Sequence, residues 1–173
     1  MQQNSAFAGI FVTLGIVYLS RRRPIGGWVL YFYLQLYLSV LLSLIFLPDV
    51  AKNLSPVGWD TPQRYFMFIG STVPLTVAEW FEVFAASRLL YEKNAANLLT
   101  LRIAIGIVLV CAALAAGIDI EYFNSTPVSD IMTLIVAFIW SLYFSISERV
   151  QQVFVMHTFQ HPDSVKNPQK IQT

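Results

Sequence analysis

Long runs of apolar residues, separated by short polar segments, account for most of the chain. Five such runs are present, at residues 6–19, 28–47, 65–91, 98–118 and 131–146. A helix rises about 1.5 Å per residue and the hydrocarbon core of a bilayer is about 30 Å thick, so a spanning helix needs about 20 residues. The pattern therefore predicts a series of membrane-spanning helices.

The first run, residues 6–19, is short for a spanning helix. A secretory signal would place positive charge before its apolar region. Here the preceding residues are uncharged, and Arg21, Arg22 and Arg23 follow the run. We therefore interpret it as an uncleaved and slightly short span, with an interfacial or re-entrant segment as the alternative.

Helical periodicity continues beyond the fifth run. Positions i, i+3, i+4 and i+7 of this stretch are Val150, Val153, Phe154 and His157. Such spacing predicts an amphipathic helix that lies along the membrane surface or against a partner. We expect it to end near His161, where a proline follows.

These elements together predict an all-α, polytopic membrane helix bundle with five transmembrane helices and a C-terminal amphipathic helix. Residues 1–23 form the N-terminal span and its basic junction, residues 24–160 a four-helix membrane domain with the amphipathic extension, and residues 161–173 a flexible cytoplasmic tail. The composition agrees, because 56% of the residues are hydrophobic and only 12% are charged. With a single cysteine, Cys111, the chain has no disulfide framework.

Lysine and arginine residues are unevenly distributed among the connecting segments. If Arg21, Arg22 and Arg23 lie in the cytoplasm, five spans place most other basic residues there too, and the acidic loops near Asp60 and Asp119 face outward. Because basic residues favour the cytoplasmic side, the N-terminus is predicted outside and the C-terminus inside. The arginine triplet is also suited to contact anionic lipid headgroups.

The third run carries two carboxylates within apolar sequence. Glu79 and Glu82 are three residues apart, which places them on one side of a helix. Charges at membrane depth are costly and need a partner, a wet cavity or a proton. One interpretation is an ion-pair cluster with Arg102 or Arg149, from the fourth and fifth helices. The other is that Glu79 titrates or lines a polar pathway.

Two further features concern the shape and packing of the helices. Pro48 is predicted to end the second helix, and Pro74 to bend the third, with hydroxyl groups nearby to satisfy freed carbonyls. The fourth run contains two small-xxx-small pairs, Ala112 with Ala116 and Ala113 with Gly117. Such pairs allow two helix backbones to approach closely.

Three short motifs resemble a known family. They are Pro24-Ile25-Gly26-Gly27-Trp28, then Pro74 followed by Glu79, and Tyr143-Phe144 followed by Ser147, Arg149, Val150 and Phe154. On these motifs the chain resembles a bacterial integral-membrane family of unknown function, the domain of unknown function numbered twenty-five sixty-nine, over about residues 23–159. The resemblance implies a four-helix membrane domain with cytoplasmic ends, in a bacterial inner membrane. The run at 6–19 and Glu148, where a second basic residue is usual, depart from it.

The sequence predicts no catalytic site, no metal site and no cofactor. His157 and His161 are spaced i, i+4, but the chain has no further histidine, and only one cysteine, to complete a metal site or hold haem. No histidine is within plausible reach of the serines of the fifth run. A basic face for nucleic acid is also missing.

Two functions are compatible with this pattern. The leading hypothesis is a structural or accessory subunit that packs against other membrane subunits or against copies of itself, surrounded by membrane lipids. The alternative is a small oligomeric transporter or proton-linked channel that uses Glu79 and Glu82.

Overall fold

The computed structural model describes residues 27–123 and 128–156. These residues are helical, with turns between the helices, and no strand is found among them. The helices are α1 (Trp28–Asn53), α2 (Pro62–Tyr91), α3 (Ala95–Ile118), α4 (Val128–Ile146) and α5 (Glu148–Gln151), and π-helical turns extend α3 over Asp119–Phe123 and α5 over Gln152–Met156. The predicted first span, the triplet Arg21 to Arg23, both histidines and the tail lie outside the described residues.

The four long helices coincide with the second to fifth apolar runs, and local capping explains where α2 and α3 begin. At the start of α2, Pro62 occupies the first turn and the Thr61 side chain accepts a hydrogen bond from the backbone N–H of Arg64 at 3.3 Å. At the start of α3, Oδ1 of Asn94 accepts a bond from the N–H of Asn97 at 2.7 Å. These caps place both starts three residues before the apolar runs.

Neither internal proline ends its helix. The sequence predicted that Pro48 terminates the second apolar helix, but α1 continues to Asn53. That prediction was wrong, because a proline removes one helical hydrogen bond, which a long apolar helix tolerates. Pro74 likewise lies inside α2, where Thr76 Oγ1 donates to the Thr72 carbonyl at 2.8 Å. The bend there remains a prediction.

The chain divides into two compact units, residues 1–36 with 148–173, and residues 37–147. In the first unit, α1 buries one helical face and the segment after α4 buries another. The buried side chains are Val29, Phe32, Tyr33 and Leu36 on α1, and Val150, Val153 and Phe154 after α4. The predicted amphipathic spacing is therefore confirmed as far as Phe154, and its apolar face is buried within the chain itself.

In the second unit, α2 packs on α3 and α3 packs on α4. Small side chains dominate the inner faces of α2 and α3, where the buried alanines are Ala78, Ala85, Ala86, Ala104, Ala112, Ala115 and Ala116. Large apolar side chains lie on the outer faces instead, among them Val77, Phe84, Ile103, Leu114, Phe138 and Ile139. A small-residue interior with a large apolar exterior is typical of helices that pack in lipid.

Two helices are long and apolar enough to cross a membrane, at Trp28–Ile45 and Ala95–Phe123, and a third span results if Asp130–Ile146 and Glu148–Met156 are counted as one. The apolar stretch of α2 is interrupted by Glu79 and Glu82, and this helix is not one of the three. Together with the apolar exterior, these spans identify an all-helical membrane protein. The total of five spans remains a prediction.

Candidate functional site

One face of α2 lines an open cleft of about 440 Å³ in the second unit. The six lining residues of this helix are Phe68, Ser71, Thr72, Leu75, Thr76 and Glu79. Their spacing alternates between three residues and one, so they form a continuous stripe along the helix. Eleven residues separate Phe68 from Glu79, which corresponds to about 16 Å along the axis. The stripe carries three hydroxyl groups and ends in a carboxylate.

The other wall comes from three separate parts of the chain. Trp59 precedes α2, Ala115 and the turn residues Asp119 and Phe123 come from the end of α3, and Asp130 belongs to the first turn of α4. Because α2 and α3 are connected by a short turn and run in opposite directions, the start of α2 meets the end of α3. The loop before α2 and the turn after α3 therefore lie at the same end of this helix pair.

An aromatic cluster around Trp59 stands at this end of the cleft. The Trp59 ring lies 5.0 Å from Phe68 and 6.3 Å from Phe123, between ring centroids. Its indole Nε1 donates to the carbonyl of Asn53 at 3.2 Å, which fixes the orientation of the ring. Tyr65 packs against Trp59 at 6.2 Å and donates its hydroxyl proton to the Leu54 carbonyl at 3.1 Å. The loop before α2 is thus tied to the cleft.

The charge on the lining residues is entirely negative. Glu79, Asp119 and Asp130 line the cleft, and none of its eleven lining residues is lysine, arginine or histidine. A cleft with one sign of charge and apolar walls concentrates ions of the opposite sign. Within the described residues, the side chains of Glu79 and Asp119 have no hydrogen bond or ion pair. Both carboxylates are therefore available to a cation.

Glu79 marks the end of the cleft that is farthest from the loops. Glu82 follows one turn later on the same side of α2, and both side chains are half-buried. Both carboxylates thus belong to one continuous helix, as their spacing requires. Neither is paired with an arginine within the described part of the second unit.

Arg102 binds a different partner from the one that the charge pattern suggested. Its Nε and Nη2 atoms donate to the carbonyl oxygen of Phe144 at 2.9 and 2.6 Å. Phe144 lies in the last turn of α4, where carbonyls lack intrahelical donors. Arg102 therefore caps α4, and the structure does not bring it to Glu79 or Glu82.

The remaining predicted site residues have separate locations. Arg149 lies in α5, which belongs to the first unit, and its pairing with the carboxylates stays a prediction. On α3, Ala112 and Ala116 are buried, whereas Ala113 and Gly117 are exposed, and a Cβ placed on Gly117 would contact nothing within 4 Å. The pair Ala112 and Ala116 thus packs inside the chain, whereas the pair Ala113 and Gly117 lies on an exposed face of α3.

Sequence reasoning missed most of the cleft. A signal was present on α2, because Ser71, Thr72, Thr76 and Glu79 recur at helical spacing within an apolar run. No comparable signal connects Trp59 to the turn after α3, since their proximity depends on how the helices pack. Among the described residues, no group of three His, Cys, Asp or Glu side chains comes together to hold a metal ion.

Comparison with known protein families gave a match to most of the chain. The model of a family described as "Protein of unknown function (DUF2569)" matches residues 22–155. No curated protein matches the chain, and no solved structure does. The matched range includes every residue of the cleft and both carboxylates of α2.

Proposed function

From the premise that the chain belongs to the DUF2569 family of proteins of unknown function, we propose that it is a small, oligomeric, proton-linked transporter. In this proposal the acidic cleft admits cations from one side of the membrane. Glu79, with Glu82 one turn deeper, then receives a proton or exchanges it for the cation. No catalytic site is involved.

The cleft itself is the observation that supports this function. It extends along α2 from the loops to Glu79 and has only carboxylates as charged lining groups. An intramembrane carboxylate without a basic partner is a typical element of a proton or ion pathway. A purely structural carboxylate would be expected to pair with a basic group, because breaking a buried pair leaves a costly orphan charge.

The proposed membrane setting extends the features of the fold. We propose five spans in a bacterial inner membrane, with the N-terminus outside and the C-terminus in the cytoplasm. The loops around Trp59 and Asp119 then face outward, and the cleft opens to that side. Glu79 and Glu82 lie toward the cytoplasmic half of α2, so the proposed route crosses most of the membrane.

Proton flux in reconstituted vesicles tests the proposal. The purified protein is placed in liposomes that contain a pH-sensitive dye, and a potassium diffusion potential drives protons inward. Wild-type protein should acidify the lumen faster than protein-free liposomes do, and Glu79→Gln should abolish the difference. Glu92→Gln serves as the matched control, because Glu92 is exposed in the turn after α2 and does not line the cleft.

The stability of Glu79→Gln separates transport from a structural role. Because the amide keeps the shape of the side chain and removes a charge that has no ion pair within the described residues, the variant should unfold at the same temperature as wild type or above it. A variant that loses stability and flux together would favour the structural interpretation. If vesicles that contain the wild-type protein showed no proton flux above that of protein-free liposomes, the transporter proposal would be rejected.

An accessory role remains the second proposal, and the open face of α3 favours it. Ala113 and Gly117 are exposed next to Leu114, so another helix has room to approach closely there. The partner is another membrane subunit or a second copy of the chain. Purification from native membranes distinguishes these cases, because an accessory subunit should retain other proteins in fixed stoichiometry, whereas the transporter should be a homo-oligomer.

A further inference from the structure

We infer that the cleft binds an organic ammonium ion, a positively charged amine with a small apolar body. This inference rests on the proposed function and names the class of substrate for the same site. Three properties of the wall support it: the direction of its hydrogen-bond donors, the position of its aromatic rings and its volume.

Two of the three hydroxyl groups of the wall, those of Ser71 and Thr76, present acceptors to the cleft. Ser71 Oγ donates its proton to the Phe68 carbonyl at 3.0 Å, and Thr76 Oγ1 donates to the Thr72 carbonyl at 2.8 Å. A hydroxyl group has one proton to donate and two lone pairs. Because both protons are used inside α2, these hydroxyl oxygens can only accept from a ligand.

The indole N–H of Trp59 is likewise unavailable to a ligand, because it donates to the Asn53 carbonyl. The carboxylates of Glu79 and Asp119 are acceptors as well. A ligand in this cleft therefore meets acceptors and negative charge on several sides. An ammonium group, with its N–H donors and positive charge, is complementary to such a wall, and an anion is not.

The aromatic rings favour an organic cation over a bare metal ion. Trp59, Phe68 and Phe123 all line the cleft, and the faces of aromatic rings attract cations, most strongly at tryptophan. Asp119 and Phe123 are four residues apart in one π-helical turn, so a carboxylate and a ring stand next to each other. An alkylammonium ion can place its charge near Asp119 and its apolar part against the rings.

The volume agrees with a ligand of this size. At about 440 Å³ the cleft lies within the range of about 300–1,000 Å³ that small-molecule sites occupy. Leu75 and Ala115 contribute apolar surface between the polar groups. A site for a dehydrated inorganic ion would instead need several oxygen ligands within about 2.0–2.6 Å of one point.

Calorimetric titration of the full chain in lipid nanodiscs tests the inference. Butylammonium is the probe, and 1-butanol, butyrate and potassium chloride are the matched neutral, anionic and inorganic ligands. Butylammonium should bind saturably, and the other three should not. Asp119→Asn and Trp59→Leu should each weaken butylammonium binding about tenfold, which is the order expected for a charge or a cation–π contact in a partly desolvated site.

Two control variants change residues of similar type outside the cleft. Glu121→Gln changes an exposed carboxylate in the same turn as Asp119, and Trp80→Leu changes an exposed tryptophan of α2. Both should bind within twofold of wild type. Equal binding of 1-butanol or potassium, or unchanged affinity in both Asp119→Asn and Trp59→Leu, would overturn the inference. Glu79-dependent proton flux without butylammonium binding would reject the substrate class alone, whereas absence of both would also reject the proposed function.

Discussion

Two nitrogen atoms of Arg102 donate to one backbone oxygen, the carbonyl of Phe144, at 2.9 and 2.6 Å. Arg102 lies in the second turn of α3, and Phe144 is fully buried near the end of α4. The guanidinium group therefore closes a helix end and ties two helices together. A planar fork with several donors suits this task, and the single ammonium of lysine does not.

The first prediction concerns this cap. Replacing Arg102 by leucine removes both of its hydrogen bonds to the Phe144 carbonyl, so the free energy of unfolding should fall by about 1.5–3 kcal/mol, the range for hydrogen bonds to charged groups. The free energy of unfolding of Arg102→Lys should lie between those of wild type and Arg102→Leu. The change is measured by denaturant titration in detergent, with circular dichroism as the signal for unfolding.

Arg88→Leu is the matched control for the cap. Arg88 is exposed near the end of α2 and forms a 3.8 Å ion pair with exposed Glu92. Surface pairs of this kind contribute about 0–1 kcal/mol. If both leucine variants lost the same stability, the bonds to Phe144 would have no special role.

A second prediction distinguishes the cap from the ion-pair cluster that the charge pattern suggested. In a double-mutant cycle, Glu79→Gln and Arg102→Leu should be additive within about 0.5 kcal/mol, because the two residues share no contact in the structure. The free energies of unfolding of wild type, both single variants and the double variant give the coupling. A coupling above about 1 kcal/mol would restore the Glu–Arg pair.

The third prediction concerns the turn between α2 and α3. Buried Asn97 donates its side-chain amide to the Glu92 carbonyl at 2.8 Å, and its backbone N–H donates to Asn94 Oδ1. Asn97→Ala removes the first bond and leaves a carbonyl without its donor, so the free energy of unfolding should fall by about 1–3 kcal/mol.

Thr100→Ala is the control for the turn. The Thr100 hydroxyl is exposed on the same helix and donates to the Ala96 carbonyl. This bond lies within one turn of the helix and adds little to its stability. Its removal should change stability by less than about 0.5 kcal/mol. An Asn97→Ala variant as stable as Thr100→Ala would show that the turn does not depend on the amide.

The sequence predicted those features that depend on neighbouring residues in one helix. Apolar runs gave the four long helices, because burial in lipid requires about 20 apolar residues in a row. The proximity of Glu79 and Glu82 followed from their spacing alone. The prediction failed at Pro48, because a proline has only a local cost, which the long apolar helix before it tolerates.

Features that depend on how the helices pack could not be predicted from the sequence. A basic residue such as Arg102 can bind a carboxylate or a carbonyl, and backbone carbonyls leave no trace in the pattern of side chains. The partner is decided by which face of α3 meets α4. Likewise, Trp59 and Phe123 are far apart in the chain and meet only because α2 and α3 are antiparallel.

The last prediction tests the cleft directly by cysteine accessibility. In a Cys111→Ala background, Thr76→Cys should react with a water-soluble, positively charged methanethiosulfonate reagent, because Thr76 lines the cleft. Val77→Cys should react slowly if the proposed span places it in lipid, since Val77 is the adjacent residue on the apolar exterior of α2. Val57→Cys, in the exposed loop before α2, gives the rate of a fully accessible thiol.

The charge of the reagent tests the electrostatics of the same site. A cleft with only carboxylates as charged lining groups should concentrate cations and exclude anions, so the ratio of cationic to anionic reaction rates should be at least about tenfold higher at Thr76→Cys than at Val57→Cys. Asp119→Asn in the Thr76→Cys background should lower this ratio, whereas Glu121→Gln should leave it unchanged. Equal ratios at the two cysteine positions would mean that the cleft does not select for positive charge, and both the transporter and its ammonium substrate would then lose their electrostatic basis.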